Sequence, residues 1–536
     1  MTTTYDEFLR AKCDFDVAYG FDVDTAEISP VLKPHQRDIV QWALRGGRRA
    51  IFAAFGLGKS VMQLETMRLV NARENARCLI VCPLGVRQEF VRDARELLGV
   101  DVTFVRRTEE VGGPGIYLTN YESIRDGRLD PALFDAVSLD EASVLRSFGS
   151  KTYDTFLNLF AQTRYRFVAT ATPSPNRYKE LIHYAGFLGV MDTGQALTRF
   201  FQRDSTKANH LTPYPHKERE FWLWLHSWAI FLQRPSDLGY SDEGYDLPPL
   251  EVVWHEVPVV HDDAGHDRDG QGRIFRDAHL GVSAAAREKR ETLDARVALA
   301  RQLVDEAPGD HFILWHDLEA ERRAIARALP ESIDIYGNLD LEVREQRVID
   351  FSEGRFRLFS AKPVLAGSGC NFQRHCHRAV FVGVGFKFHE FIQAIHRLQR
   401  FQQPRPVRID IIAAESEREV VKVLRAKWAQ HREGTERMSE IIKEHQLDTL
   451  SVTQVLARSI GVERVEAAGE GWTAVNNDCV VETAAMETAS VDLVVTSIPF
   501  ANHYEYTPSY NDFGHTDDNG HFWAQMDHLT PELLRL

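Results

Sequence analysis

The chain has 536 residues, of which 44% are hydrophobic, and a formal net charge of −15. That length exceeds one domain and implies roughly two to four. The charge excludes a uniformly basic nucleic-acid coat but not a local basic groove, and no apolar run approaches membrane-spanning length.

The start, MTTTYDEFLRAKCDF, has neither the basic lead nor the apolar core of a signal peptide, which reads as a cytosolic protein. Residues 1–30 are a short lead-in. From 31 to 190, short β-rich runs (IFAAF, CLIVCPL, GIYLTNY, AVSLDE, RFVATATP) alternate with helical stretches such as VMQLETMRLVNAREN. That alternation predicts an α/β lobe with a parallel sheet. Residues 191–250 are rich in aromatics, notably FWLWLHSWAIF at 221–231, and read as a helical insertion packed on the core. A second α/β lobe is expected over 251–430, with strands at EVVWHEV, HFILW, SIDIYG, FRLFSA, RAVFVGV and VRIDIIAA. Residues 431–470 read as a helical linker, and 471–536 as a partial domain of another kind. The six cysteines, at 13, 78, 82, 370, 376 and 479, do not suggest a disulfide framework. CNFQRHCHR at 370–378 lacks the second ligand pair that zinc would need.

Two motifs carry the chemistry. AAFGLGKS at 53–60 follows a strand that ends at Ile51 and Phe52. Gly56 and Gly58 permit a tight loop whose amides face phosphate oxygens, Lys59 supplies a cation, and the Ser60 hydroxyl suits Mg²⁺. SLDEAS at 138–143 puts Asp140 at a strand tip as a second Mg²⁺ partner. The adjacent Glu141 is placed to orient or deprotonate a water. Either motif alone is compatible with a glycine turn or a surface acidic pair. The two together point to an ATP-hydrolysing domain. In QAIHRLQRFQQ at 393–403, Arg397 and Arg400 lie three apart, hence on one helix face, and offer positive charge from the second lobe.

The motif order resembles a superfamily-2 helicase, in particular the SWI/SNF-like duplex-DNA translocases, over roughly 30–430. The resemblance implies two RecA-like lobes, with ATP and Mg²⁺ as cofactors. LKPHQ at 32–36 is similar to the adenine-reading motif, which implies Gln36 on the base. CLIVCPLGVRQEF at 78–90 and LTNYE at 118–122 look like first-lobe DNA-contact motifs. DEAS at 140–143 departs from the family's box at Ser143. TATP at 170–173 matches the motif linking hydrolysis to lobe movement, through Thr170 and Thr172. Gly367, Gly369, Asn371 and Gln373 match GxGxNxQ, the two glycines on the cofactor side. Gln393, Arg397 and Arg400 match the final arginine motif.

SVDLVVTSIPF at 490–500 reads as an apolar strand that resembles the catalytic motif of amino-group DNA methyltransferases through Ser497, Pro499 and Phe500. Ile498 stands where the family has its first proline. In that family the polar residue holds the target amine and the aromatic stacks on a flipped base. No glycine-rich donor loop lies between 431 and 489, so S-adenosylmethionine is expected only if the domain is completed elsewhere, by a further C-terminal segment or a partner subunit. Such fusions resemble bacterial or phage restriction, anti-restriction and defence proteins. The expected partner is double-stranded DNA, with no membrane. An RNA helicase, or a recruitment protein that uses ATP only as a switch, remains an alternative.

Overall fold

The computed structural model describes residues 4–13, 18–142, 145, 151–173, 178–203, 211–258, 292–366, 372–383, 388–457, 460–501, 506–507, 509–516 and 519–536. Two parallel sheets of seven and six strands organise the chain as an α/β protein.

The first sheet contains β1 (Arg48–Ala53), β2 (Arg77–Val81), β3 (Val102–Phe104), β4 (Gly115–Thr119), β5 (Ala136–Asp140) and β6 (Tyr165–Thr170). A small antiparallel ribbon, β7 (Phe201–Arg203) and β8 (Leu211–Pro213), stands apart, and β9 (Ala229–Leu232) returns to the sheet. The strand order is β3-β4-β2-β5-β6-β1-β9. The N-terminal α-helices of this unit are α1 (Tyr5–Lys12), α2 (Pro34–Gly46), α3 (Lys59–Glu74) and α4 (Arg87–Leu98). Pro34 opens α2, where its missing N–H costs nothing, and Gly47 closes it in the left-handed conformation.

The aromatic run does more than the expected insertion. Its helix, Glu218–Trp228, buries Trp222, Trp224 and Trp228. The chain then becomes β9, which pairs with β1 from Ala50↔Ala229 to Ala53↔Leu232. Helical apolar spacing runs straight into the strand, which hides the boundary in the sequence. Phe52 packs edge-on against Phe231 at 4.8 Å, so this run supports the strand that precedes the glycine loop.

The second sheet contains β10 (Leu250–Val257), β11 (His311–Trp315), β12 (Ile333–Asp334), β13 (Leu358–Ala361), β14 (Cys376–Phe381) and β15 (Val407–Ala414), in the order β10-β15-β14-β11-β13-β12. All six runs read as strands in the sequence are strands. Ile313 and Trp315 enter one apolar cluster, while Phe312 and Leu314 enter another on the opposite face. Both faces are covered, which is why these strands are apolar throughout rather than alternating.

The stretch from 431 departs from a simple linker. One helix, Arg418–His445, runs across the expected boundary at 430. Near its start, Leu424 and Trp428 pack on the second sheet's core. Near its end, Met438 and Ile442 join the core of the first sheet, and the Ser439 hydroxyl donates to Asp237 at 2.6 Å. A helix Thr449–Ala457 and an exposed hairpin of β16 (Val465–Gly469) and β17 (Trp472–Asn476) follow.

The strand expected at 490–500 does not form. That run has no ladder partner, and Leu493 and Val495 are 76% and 84% exposed. β-propensity is a preference for a paired, half-buried surface, and none is offered to these residues here. No helix among the described residues is long and apolar enough to cross a membrane.

Gly434 lies where the long helix passes from one sheet to the other, and a Cβ there would sit 2.9 Å from the Tyr178 ring. Gly→Ala in a helix interior ordinarily gains about 1 kcal/mol. We expect Gly434→Val instead to lose about 1–3 kcal/mol through overpacking. The check is a lower thermal unfolding midpoint than wild type; an unchanged or higher midpoint would show that the contact yields freely.

Candidate active site

The carboxyl ends of β1, β5 and β6 open onto one edge of the first sheet, where parallel α/β sheets place their ligands. The loop after β1 turns on Gly56 and Gly58, with φ of 87° and 81°. Neither has room for a side chain. A Cβ on Gly56 would lie 2.5 Å from the Phe401 ring, and one on Gly58 would lie 2.4 Å from Nε2 of Gln36. Gln36 is buried in the first turn of α2. Its Nε2 donates to the Leu57 carbonyl at 3.0 Å, and its Oε1 accepts from the Lys33 amide at 2.9 Å. Gln36 therefore supports the loop from behind.

Lys59 opens α3 and Ser60 follows it into the cleft. The Lys59 ammonium donates to the carbonyls of Ala53 at 2.9 Å and Ala54 at 3.3 Å. Burial pulls its pKa down, against the opposing pull of Glu141 and Asp140.

Asp140 is the last residue of β5. Burial, reinforced by the charge of Glu141, pushes its carboxyl up to about 7. Gln63 Nε2 donates to Asp140 Oδ1 at 2.9 Å, and the Tyr121 hydroxyl donates to the Asp140 carbonyl at 2.6 Å. Glu141 has a φ of 47°, a conformation that non-glycine residues seldom adopt. Its Oε2 accepts from Thr170 Oγ1 at 3.1 Å and from Gln393 Nε2 at 3.3 Å. Thr170 in turn accepts from the Thr172 amide at 3.1 Å. Thr170 of the first sheet and Gln393 of the second unit thus meet at the Glu141 carboxylate.

Gln393 lies in the helix Phe388–Ile395. The expectation that Arg397 and Arg400 share a helix face is corrected here. The helix ends at Ile395, and both arginines lie in the turn that follows. The amides of Arg397 and Leu398 reach carbonyls only three residues back, Ala394 at 3.3 Å and Ile395 at 3.0 Å, which tightens and ends the helix. Both arginines nonetheless line the same cleft as Lys59, Ser60, Asp140 and Glu141.

The cleft has about 820 Å³ of space open to solvent. Rings of the second unit close over the glycine loop: His396 stacks on Phe55 at 4.6 Å, and Phe401 covers Gly56. Glu89 and Asp93 of α4 form part of the wall. Burial raises the Glu89 carboxyl, while Arg400 and Arg397 draw it down. Arg87, at the start of α4, pairs with Glu345 of the second unit at 3.2 Å. Phe55, Gln63, Glu89, His396 and Phe401 are site residues that the sequence alone does not single out. Only Gln63 carries a signal, since it stands four residues after Lys59 on the same helix.

Gly367, Gly369, Asn371 and Ser143 lie outside the described residues. Gln373 is buried in the short turn Phe372–Arg374. Ser497, Pro499 and Phe500 belong to the exposed run at 490–500 and do not line the cleft.

Chemically, loop amides, one lysine and two arginines can hold a polyanion, and a serine beside a carboxylate can hold a divalent cation. Comparison with family models and with curated proteins gives no match for this chain.

Gly58→Ala combines a left-handed backbone with the contact on Gln36. We expect it to lower stability by about 1–3 kcal/mol. Chemical denaturation reads this as a lower midpoint at unchanged slope, and a wild-type midpoint would count against the tight loop.

Proposed function

We propose that the chain is an ATP-driven motor on duplex DNA, built from two RecA-like lobes of the superfamily-2, SWI/SNF-like type. The observation that carries this reading is the composition of one cleft. The first sheet supplies Lys59, Ser60, Asp140 and Glu141, and the second unit supplies Gln393, Arg397 and Arg400.

In this reading the loop amides of Gly56 and Gly58 and the Lys59 ammonium bind the phosphates. Ser60 and Asp140 hold Mg²⁺, which neutralises phosphate charge when bound. Glu141 orients the attacking water and accepts its proton. Arg397 and Arg400 stabilise charge that develops on the transferred phosphoryl group, a contribution worth about 10³–10⁵ in rate for an arginine set across a cleft. Thr170 and Gln393 contact the same Glu141 oxygen, so a change at the base is felt by both sheets. The motif order from LKPHQ to QAIHRLQR supports duplex DNA as the track. The 490–500 run, with Ser497, Pro499 and Phe500, supports a DNA-methyltransferase-like module attached to the motor.

Glu141→Gln keeps shape and loses the base. ATP should still bind, with turnover reduced by at least about 10²-fold. Lys59→Ala should lose binding itself. Filter binding and phosphate release, measured side by side, separate the two; normal turnover in Glu141→Gln would remove the assigned active site.

The track is tested by ATPase stimulation with duplex DNA, single-stranded DNA and RNA. Duplex DNA should stimulate most, and the stimulation should fall steeply as salt rises, because the net charge of −15 opposes DNA beyond the contact surface. Stimulation by RNA alone would favour an RNA helicase. ATP binding without turnover on any nucleic acid would favour a nucleotide-switched recruitment protein.

A further inference from the structure

Gln63 stands one helical turn after Lys59, so the two side chains leave the same side of α3. It is 2% exposed, and both ends of its amide are engaged. Gln63 Oε1 accepts from the Ser138 hydroxyl at 2.7 Å, and Nε2 donates to Asp140 Oδ1 at 2.9 Å. Ser138 and Asp140 are alternate residues of β5 and share a face of the sheet.

The partners fix which way the amide points. A carboxylate that binds a divalent cation is ionised and only accepts, so its Oδ1 must face the NH₂ end. The carbonyl end then needs a donor, and the Ser138 hydroxyl provides one. Among the described residues, Asp140 Oδ2 receives no hydrogen bond, although Asp140 lines the cleft. A buried amide is costly unless each group is partnered. Here the partnered chain ends on the one residue of β5 that reaches the cleft.

We propose that Gln63, oriented by Ser138, is a positioning residue: it fixes one oxygen of Asp140 and leaves the other for the divalent cation. This rests on the proposed ATPase function. It assigns Gln63 no contact with nucleotide and no part in the chemical step. Its role is to hold a metal-binding carboxylate in one orientation. Loss of such an outer partner typically weakens metal binding about 10–100-fold.

The test uses the full chain and a non-hydrolysable fluorescent ATP analogue, titrated with Mg²⁺ and, separately, in EDTA. Gln63→Leu keeps most of the volume and removes both bonds. It should raise half-saturating Mg²⁺ about tenfold and leave affinity in EDTA unchanged. Ser138→Ala removes only the orienting hydroxyl and should shift the Mg²⁺ midpoint the same way by less. Circular dichroism establishes that each variant is folded, and Ser138→Ala serves alone if Gln63→Leu is not. An unshifted Mg²⁺ midpoint in a folded variant overturns the proposal. So does an equal loss of affinity in EDTA, which would mark a merely structural role. If wild type binds the analogue and Lys59→Ala does not, either result falls on Gln63 alone. If wild type binds no nucleotide, the ATPase function fails and this inference with it.

Discussion

Two adjacent carboxylates in a buried cleft set the constraint on which the rest of the site depends. Asp140 and Glu141 follow one another at the tip of β5, and burial together with mutual repulsion drives the Asp140 carboxyl up to about 7. Such a pair is tolerated only if positive charge and donors surround it. The first sheet supplies Lys59, Gln63 and Thr170. The remainder comes from the second unit, as the Gln393 amide and the arginines Arg397 and Arg400. Packing of the two units over this cleft is thus partly an electrostatic matter. Phe55 on His396 and Gly56 under Phe401 add apolar contact at the same place. Polyphosphate entering here would compete with Glu89 for the arginines and replace one set of negative charges by another.

Most of this site is legible in the chain because the informative residues are local. Gly56 and Gly58 announce a loop with positive φ, and an apolar strand ending in Asp140 announces a carboxylate at a sheet edge. The strands of the second sheet are legible from apolar runs of five or six residues between polar turns. Three things are not. The helix carrying Gln393 stops at Ile395, and nothing in QAIHRLQR marks the stop, since no glycine or proline stands there. β9 is hidden because the apolar residues of Glu218–Trp228 continue into Ala229–Leu232 without a break. The bond from Gln63 to Asp140 joins residues 77 apart, a pairing fixed only when α3 packs on β5. The 490–500 run errs in the opposite direction. Its propensity is that of a strand, but propensity without a neighbouring edge yields exposed, unpaired chain.

The two units are joined by more than the cleft. The helix Arg418–His445 begins on the second sheet's core and ends on the first. At about 1.5 Å per residue a helix of this length is a stiff connection, so relative movement of the sheets must bend it or slide one end. Gly434 is its weakest position by propensity; it lies close to the Tyr178 ring, beside a small cavity that Ala171 and Pro173 also line. Residues just after Thr170 and Thr172 therefore share a cavity wall with the helix at this position.

The C-terminal segment is fixed to the first of these units. Lys12 of α1 donates to the carbonyls of Tyr510 at 2.6 Å and Asp512 at 3.0 Å and to Gln525 Oε1 at 2.9 Å. His515 is buried among Arg199, Lys217 and Glu220, and burial with the nearby cations takes its pKa down to about 3. It is therefore neutral at ordinary pH. Lys217 Nζ lies 3.0 Å from Nδ1, and Nε2 lies 2.7 Å from the Arg199 guanidinium and 3.2 Å from Glu220 Oε1. Arg199 also donates to Glu220 Oε1 at 3.0 Å. Such a buried polar cluster is costly to open, because each partner left behind would be an unpaired group. Tyr510, Asp512, His515 and Gln525 consequently move with α1 and the helix Glu218–Trp228, whose continuation β9 is paired to β1. Whatever binds at the C-terminal segment is held in fixed register to the strand that carries the glycine loop, whereas Arg397 and Arg400 ride on the second sheet and reach the loop only across the cleft.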